Sequence, residues 1–169
     1  MNTYETILKR RSIRKFKDTK IKDEDILKLL EAAMAAPSAR NMQPWEFYVI
    51  TNNSIMNEIR SFVSYFNYNS SLMIVVCGNT SRSITKNDND FWIQDCSSAV
   101  ENILLTATSL NLGTVWCGLY PVIERSNKIK QLLKCPSDVI PMALIHVGYP
   151  AEEKEERTQY NENYVHYIK

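Results

Sequence analysis

Along the chain, apolar and polar positions alternate between a helical period and a strand period. Thr3–Arg11 predicts a short helix with Tyr4, Ile7 and Leu8 on one side. A second helix begins with Asp23 as N-cap and carries Glu24 and Asp25 in its first turn, where negative charge suits the helix dipole. Its expected apolar face is Ile26, Leu27, Leu30, Ala33 and Met34, and Pro37 ends it. Glu46–Thr51, rich in β-branched and aromatic residues, reads as a strand, and Ile55–Phe66 as a helix. Leu72–Cys77 is apolar throughout, the pattern of a central strand buried on both faces. Polar residues from Asn79 to Asp90 predict a loop.

Phe91–Leu112 is the most strongly patterned segment. Ile93, Cys96, Val100, Ile103, Ala107 and Leu110 recur at alternating steps of three and four, which predicts a long helix with a continuous apolar seam. Ala99, Leu104 and Leu105 widen that seam enough to serve a core and a dimer interface. Gly113 is the expected residue just past the helix end. Thr114–Gly118 then reads as a strand, Ser126–Leu133 as a helix capped by Ser126, and Val139–Val147 as a strand interrupted near its start by Pro141. After Gly148-Tyr149-Pro150 the tail is first charged and then aromatic, with Tyr160, Tyr164 and Tyr167. Together with Val165 and Ile168 these predict a tail that docks on a surface such as a partner subunit. The expected class is α+β: one sheet of four or five strands with helices around it.

Composition narrows the function classes. The 169 residues, 44% hydrophobic and 23% charged, suit a single domain over residues 1–169. A formal net charge of +1 argues against a bulk nucleic-acid binder. The longest apolar run is far short of the roughly 20 residues that cross a bilayer, and Met1–Lys9 has no apolar signal-peptide core. Only four glycines occur, Gly78, Gly113, Gly118 and Gly148, and they form neither a dinucleotide nor a Walker loop. A bound phosphate must therefore be met by side chains. Cys77, Cys96, Cys117 and Cys135 form no C-x-x-C pair, and with only His146 and His166 beside them no metal site is expected. They read as reduced cysteines of a cytoplasmic protein.

Three segments carry candidate chemistry. Lys9–Lys22 holds eight Lys/Arg residues and one acid, Asp18. Within it Arg10, Arg11, Ser12 and Arg14 offer the guanidinium forks and hydroxyl that suit phosphate oxygens. A solvated basic face reads equally from the same charges, and a nucleic-acid contact is disfavoured because Phe16 is the one nearby aromatic. Pro37–Trp45 places Ser38, Arg40, Asn41 and Gln43 between a helix and a strand, able to hydrogen-bond a flat heterocycle or simply to form a loop anchored by Trp45. Trp116-Cys117-Gly118 ends a strand with a glycine that admits close approach to the backbone, or that merely turns the chain. Neither histidine pairs with Cys117 in a nucleophile motif, so no catalytic side chain is nominated.

Taken in order, Arg10-Arg11-Ser12-Ile13-Arg14-Lys15-Phe16 and Pro37-Ser38-Ala39-Arg40-Asn41-Met42-Gln43-Pro44-Trp45-Glu46-Phe47 resemble the signature of the nitroreductase family. The resemblance continues through Asp95–Asn102, Gly113–Gly118 and Gly148-Tyr149-Pro150. It implies a homodimer with FMN at the subunit interface, NAD(P)H as electron donor, a small acceptor such as a nitroaromatic or quinone, and ping-pong turnover. By position, Arg10, Arg11, Ser12 and Arg14 would hold the FMN phosphate and ribityl chain. Pro37, Ser38 and Ala39 would line the ring, with Asn41 and Gln43 close by. Asn67 (or Asn69) would meet its pyrimidine edge, and the backbone of Cys117 and Gly118 its reactive nitrogen. Arg157 of the tail, or else Lys154, would complete the phosphate site. No nucleic-acid or membrane partner is implied. The sequence departs from the family at Ser70-Ser71, where Ala-Pro is frequent. A flavin-storing or sensing protein would use the same site, whereas dehalogenating and flavin-modifying relatives rely on added segments not seen here.

Overall fold

The computed structural model describes residues 2–62, 64–84 and 90–169. Part of the loop expected between Asn79 and Asp90 therefore lies outside the described residues. Four strands, β1 (Trp45–Ile50), β2 (Leu72–Asn79), β3 (Gly113–Gly118) and β4 (Val139–Gly148), form one sheet in the order β1-β2-β4-β3, antiparallel at every pairing. This is the expected α+β class with the smaller of the two expected strand counts.

Among the described residues five helices accompany the sheet: α1 (Thr3–Lys9), α2 (Asp23–Met34), α3 (Asn53–Phe62), α4 (Phe91–Ser109) and α5 (Ile123–Leu132). The two-residue period of a strand sends alternate side chains of the central strands to opposite faces. Ile74, Val76, Ile145 and Val147 pack with residues of α2 and α4. Met73, Val75, Cys77 and Leu144 pack with Met56 and Ile59 of α3 and Ile129 of α5. Both faces of β2 and β4 are thus dry, which is why Leu72–Cys77 is apolar without alternation. The seam predicted for α4 is real: Cys96, Val100, Ile103 and Ala107 are all buried.

Several local expectations are corrected. In α2, Asp23 is the first helical residue and Lys22 precedes it without a side-chain cap. Leu29 and Ala33 are the buried positions, whereas Leu27 and Met34 are 56% and 54% exposed. At about 100° per residue, Leu27 and Met34 lie on the opposite side of the helix from Leu29, so the apolar stripe is two stripes. Asn111, at φ 59°, takes the left-handed position after α4, and Gly113 instead opens β3. Ser126 is not a cap but sits inside α5, its hydroxyl donating to the Pro141 carbonyl at 2.8 Å.

Three glycines are explained by packing. A β-carbon on Gly78 would stand 2.2 Å from Trp92 Cε3, on Gly113 2.8 Å from Ile13 Cγ2, and on Gly148 2.7 Å from Phe16 Cδ1. The fully buried polar residue of β4 is His146. Its Nδ1 lies 2.8 Å from the Ser70 hydroxyl, and its ring meets Tyr68 edge-on. Burial, aided by the nearby Arg60 charge, drives its pKa from 6.5 down to about 3, so the ring is neutral. Beyond Pro150 the chain runs back past α1, where the Arg157 N–H donates to the Leu8 carbonyl at 3.4 Å. Tyr160, Tyr164, Tyr167 and Ile168 then stand exposed. Among the described residues, 158–169 make no hydrogen bond to the rest of the chain.

Candidate active site

The segment after α1 lies along the outer edge of β3. The Ile13 N–H donates to the Thr114 carbonyl at 2.8 Å, and Ser12 bridges Thr114 in parallel. Ile13 and Phe16 anchor the segment by burying against Val115. Asn69 clips Phe16 from the far side: its Oδ1 accepts the Phe16 N–H at 3.1 Å and its Nδ2 donates to the Phe16 carbonyl at 2.7 Å. Glu152 performs a similar task from the tail, accepting the N–H groups of Arg14 and Lys15 through one oxygen. The Arg14 N–H, foremost, holds that carboxyl below its ordinary pKa. Lys154 donates to the Ser12 carbonyl at 2.7 Å.

This segment covers only the first half of the edge. Polar backbone groups alternate in direction along a strand, and Thr114 points outward to Ile13. Trp116 and Gly118 therefore also point outward, while Cys117 pairs inward with Leu144. The Cys117 thiol is buried in the core, which raises its pKa to about 11 despite the Arg14 charge nearby. Gly118 differs from the other glycines: a β-carbon there would meet nothing within 4 Å, and its φ is not in the left-handed region. Neither packing nor backbone conformation within the chain requires a glycine at this position.

The guanidinium groups are unequally committed. Arg10 Nε is 3.6 Å from Glu101 of α4, and Arg11 donates to the Glu155 carbonyl. Among the described residues the Arg14 guanidinium has only a long contact, 3.5 Å, to the Ser12 carbonyl. With Asn67, Arg60 and Tyr68 it lines an open depression of about 690 Å³. Asn69 sits at the same depression with both side-chain groups taken up by Phe16, whereas the exposed Asn67 side chain has no hydrogen-bond partner among the described residues.

The loop between α2 and β1 has an unusual main chain. Arg40, Asn41 and Gln43 lie at φ 50°, 56° and 50°, in the left-handed region where each non-glycine residue costs about 1–2 kcal/mol. Ser38 braces the turn, its hydroxyl accepting the Gln43 N–H at 3.0 Å, and Gln43 Nε2 donates to Asn41 Oδ1 at 2.9 Å. Asp95 holds the loop to α4: its Oδ1 accepts the Ala39 N–H at 2.8 Å, and its buried Oδ2 has no partner among the described residues. Asp95 was legible as a carboxylate on the apolar seam of a helix. Asn69 was named only as the alternative to Asn67, and its bracing role, like that of Glu152, had no local signal because each acts on a segment far away in sequence.

Segment 10–14 thus meets β3 at Thr114, and the outward backbone of Gly118 lies at the other end of the same strand. The loop at residues 37–43 is joined to neither by a hydrogen bond or ion pair among the described residues. Arg157 is placed beside α1, while Lys154 is already engaged by Ser12 and Glu152.

A mixed fold with a basic segment meeting the outer edge of β3, and a strained polar loop leading into β1 at the opposite edge of the sheet, agrees with what comparison with known proteins finds. The sequence profile of the Nitroreductase family matches residues 7–67 and 62–149. A relative from Archaeoglobus fulgidus, provisionally named NADH dehydrogenase/NAD(P)H nitroreductase, is 42% identical over 151 residues, covering 88% of this chain and 86% of that protein. A crystal structure from Parabacteroides distasonis, under the same provisional name, superposes with TM-score 0.90 at 37% identity over 99% of this chain and 98% of the other. An FMN-dependent nitroreductase of Clostridium difficile superposes with TM-score 0.84 at 32% identity, over 97% and 98% of the two chains. The chain belongs to the nitroreductase family. Among the described residues no helix is long and apolar enough to cross a membrane, and no cluster of ligands suits a metal ion.

Proposed function

We propose that this protein is an FMN-dependent, NAD(P)H-consuming oxidoreductase that reduces small acceptors such as nitroaromatics and quinones. The observation that carries this reading is Gly118, which faces open space beside an unpaired outward edge of β3. A missing side chain with no reason inside the chain fits a flat ring lying against that backbone. The uncommitted Arg14 charge and the nearby Arg10, Arg11 and Ser12 suit a phosphate and its polyol tether. The donor set therefore fits FMN.

FMN, when bound, would supply hydride chemistry between NAD(P)H and the second substrate, in the ping-pong order that this reading includes. The chain's own part is binding, orientation and electrostatics. Arg14, with Arg10 and Arg11, holds the phosphate end, and Arg157 joins them from the tail. The outward Gly118 N–H, rather than that of Cys117, would be the one free to donate to the ring. Asn67 meets the pyrimidine edge. Pro37, Ser38, Ala39, Asn41 and Gln43 form a second wall, which comes from the other subunit of a homodimer. Supporting that assembly are the separation of the two halves in one chain and the exposed Tyr4, Ile7, Trp116 and tail aromatics. Four unpaired cysteines suit a reducing, cytoplasmic setting.

The test is an anaerobic visible spectrum before and after NADH or NADPH is added. Bound flavin that bleaches within the mixing time supports the reading and identifies the donor. Flavin that stays oxidised with both donors points to storage or sensing, and protein that fails to take up FMN overturns the assignment. Sedimentation of a flavin-loaded monomer would separately refute the shared site.

A further inference from the structure

The basic stretch Lys9–Lys22 is only partly used by the proposed flavin site. Beyond Arg14 it runs on to Lys20, which lines the open depression beside Asn67 together with Arg14 and Arg60 of α3. Among the described residues none of these three cations makes an ion pair, and Asp18 is the one carboxylate in the wall. The space of about 690 Å³ is thus bordered by more positive than negative charge.

Arg60 is fixed in that wall by neutral groups. Its Nε donates to the Tyr68 carbonyl and its Nη2 to the Ser70 carbonyl, both at 2.8 Å, and its Nη1 donates to Asn57 Oδ1 at 2.8 Å. These bonds orient the guanidinium without neutralising it, and it has further N–H groups to offer. The helix α3 starts at the same wall, with Asn53 in the lining, so the positive end of its dipole adds to the charge. Ser71 lines the depression too, and its buried hydroxyl has no partner among the described residues. Ser70-Ser71 is the pair at which the sequence departs from the family. One of its hydroxyls is spent on His146 and the other is uncommitted.

We propose that this depression receives the 2′-phosphate of NADPH and makes NADPH the preferred donor over NADH; the inference rests on the flavin-dependent reading above. The wall offers cations, amides and hydroxyls, with no Val, Leu, Ile or Met among its residues. Such a lining suits a hydrophilic anion and not a flat, neutral nitroaromatic or quinone. The depression shares Arg14 and Asn67 with the residues assigned to the flavin, so an anion held here belongs to a molecule that also reaches the ring. Of the two substrates the donor is the one that carries phosphates. A phosphate monoester such as the 2′-phosphate bears a charge of about −1.5 to −2 near neutral pH, more than either phosphate of the dinucleotide bridge, and gains most from several unpaired cations. Lys20 supplies a mobile point charge, and Arg60 a fork already set in place.

The test begins with calorimetry on the intact protein, using adenosine 2′,5′-bisphosphate as probe and AMP and inorganic phosphate as comparisons. The bisphosphate is expected to bind at least about tenfold more tightly than either, and to weaken as salt is raised. Lys20→Glu is expected to cost about tenfold in that affinity and, with a neutral quinone as acceptor, to raise KM for NADPH by a similar factor. KM for NADH, kcat and flavin affinity should stay within about twofold. Lys20 is exposed, so its replacement keeps the fold. The probe reads the depression with or without bound flavin, so failure of the flavin reading is seen separately, as protein that does not take up FMN. Equal binding of the bisphosphate and AMP, equal binding of inorganic phosphate, or an unchanged KM for NADPH in Lys20→Glu would overturn the proposal. So would a parallel fall in flavin affinity, which would give the depression to the flavin's own phosphate.

Discussion

The two ends of β3 begin and finish on the same residue type for opposite reasons. At Gly113 the side chain of Ile13 already fills the space a β-carbon would need, so the residue is small because the chain itself is close. At Gly118 no atom of the described residues beyond its chain neighbours comes within 4 Å of a β-carbon's place. The difference lies in the covering segment, which pairs with Thr114 and then leaves the remainder of the edge open. A glycine crowded by its own fold reports on stability. One facing empty space beside an open edge reports on something the single chain does not contain.

That contrast can be broken experimentally. Gly118→Val is expected to lower flavin affinity and turnover about a hundredfold, about 2.7 kcal/mol, while the melting temperature stays within error. Unchanged flavin titration would remove the edge from the site. Gly113→Ala should do the reverse, costing up to about 3 kcal/mol in denaturant unfolding while the folded fraction binds flavin normally. The interior also titrates differently from the edge. Because His146 ionises near 3 when folded against 6.5 ordinarily, the unfolded chain takes up its proton first as pH falls. Between about pH 8 and about pH 5 the native protein should therefore lose about 2 kcal/mol more than His146→Gln does. Parallel stability curves for the two proteins would contradict a neutral buried ring. Arg14→Ala should weaken flavin retention about tenfold with the fold kept. The smallest effect belongs to Cys117→Ser, whose turnover should stay within about twofold, since its sulfur is buried and its backbone is committed to Leu144.

Much of the fold could be read from periodicity, and the failures have a common origin. β2 and the α4 seam were legible because burial on two faces, or on one helical stripe, leaves a repeating trace in local sequence. The buried face of α2 was misread because Leu27 and Met34 are as apolar as Leu29, and only the position of α4 decides between them. Ser126 has the chemistry of a cap but spends its hydroxyl on Pro141, fifteen residues away. The site divides in the same manner. Arg10–Arg14 and Pro37–Gln43 stood out as motifs, yet the groups that fix them, Asn69, Asp95 and Glu152, lie in other parts of the chain.

The strained loop has a kinetic meaning. With Ser38 bracing the turn and Asp95 gripping Ala39, its left-handed residues are held before any guest arrives. The ordering of that wall is completed when the chain folds, so little conformational entropy remains to be lost at encounter. Capture at such a wall is governed by diffusion and by the charges that steer the approach. Changes to the loop's side chains should therefore register chiefly in how long a guest stays.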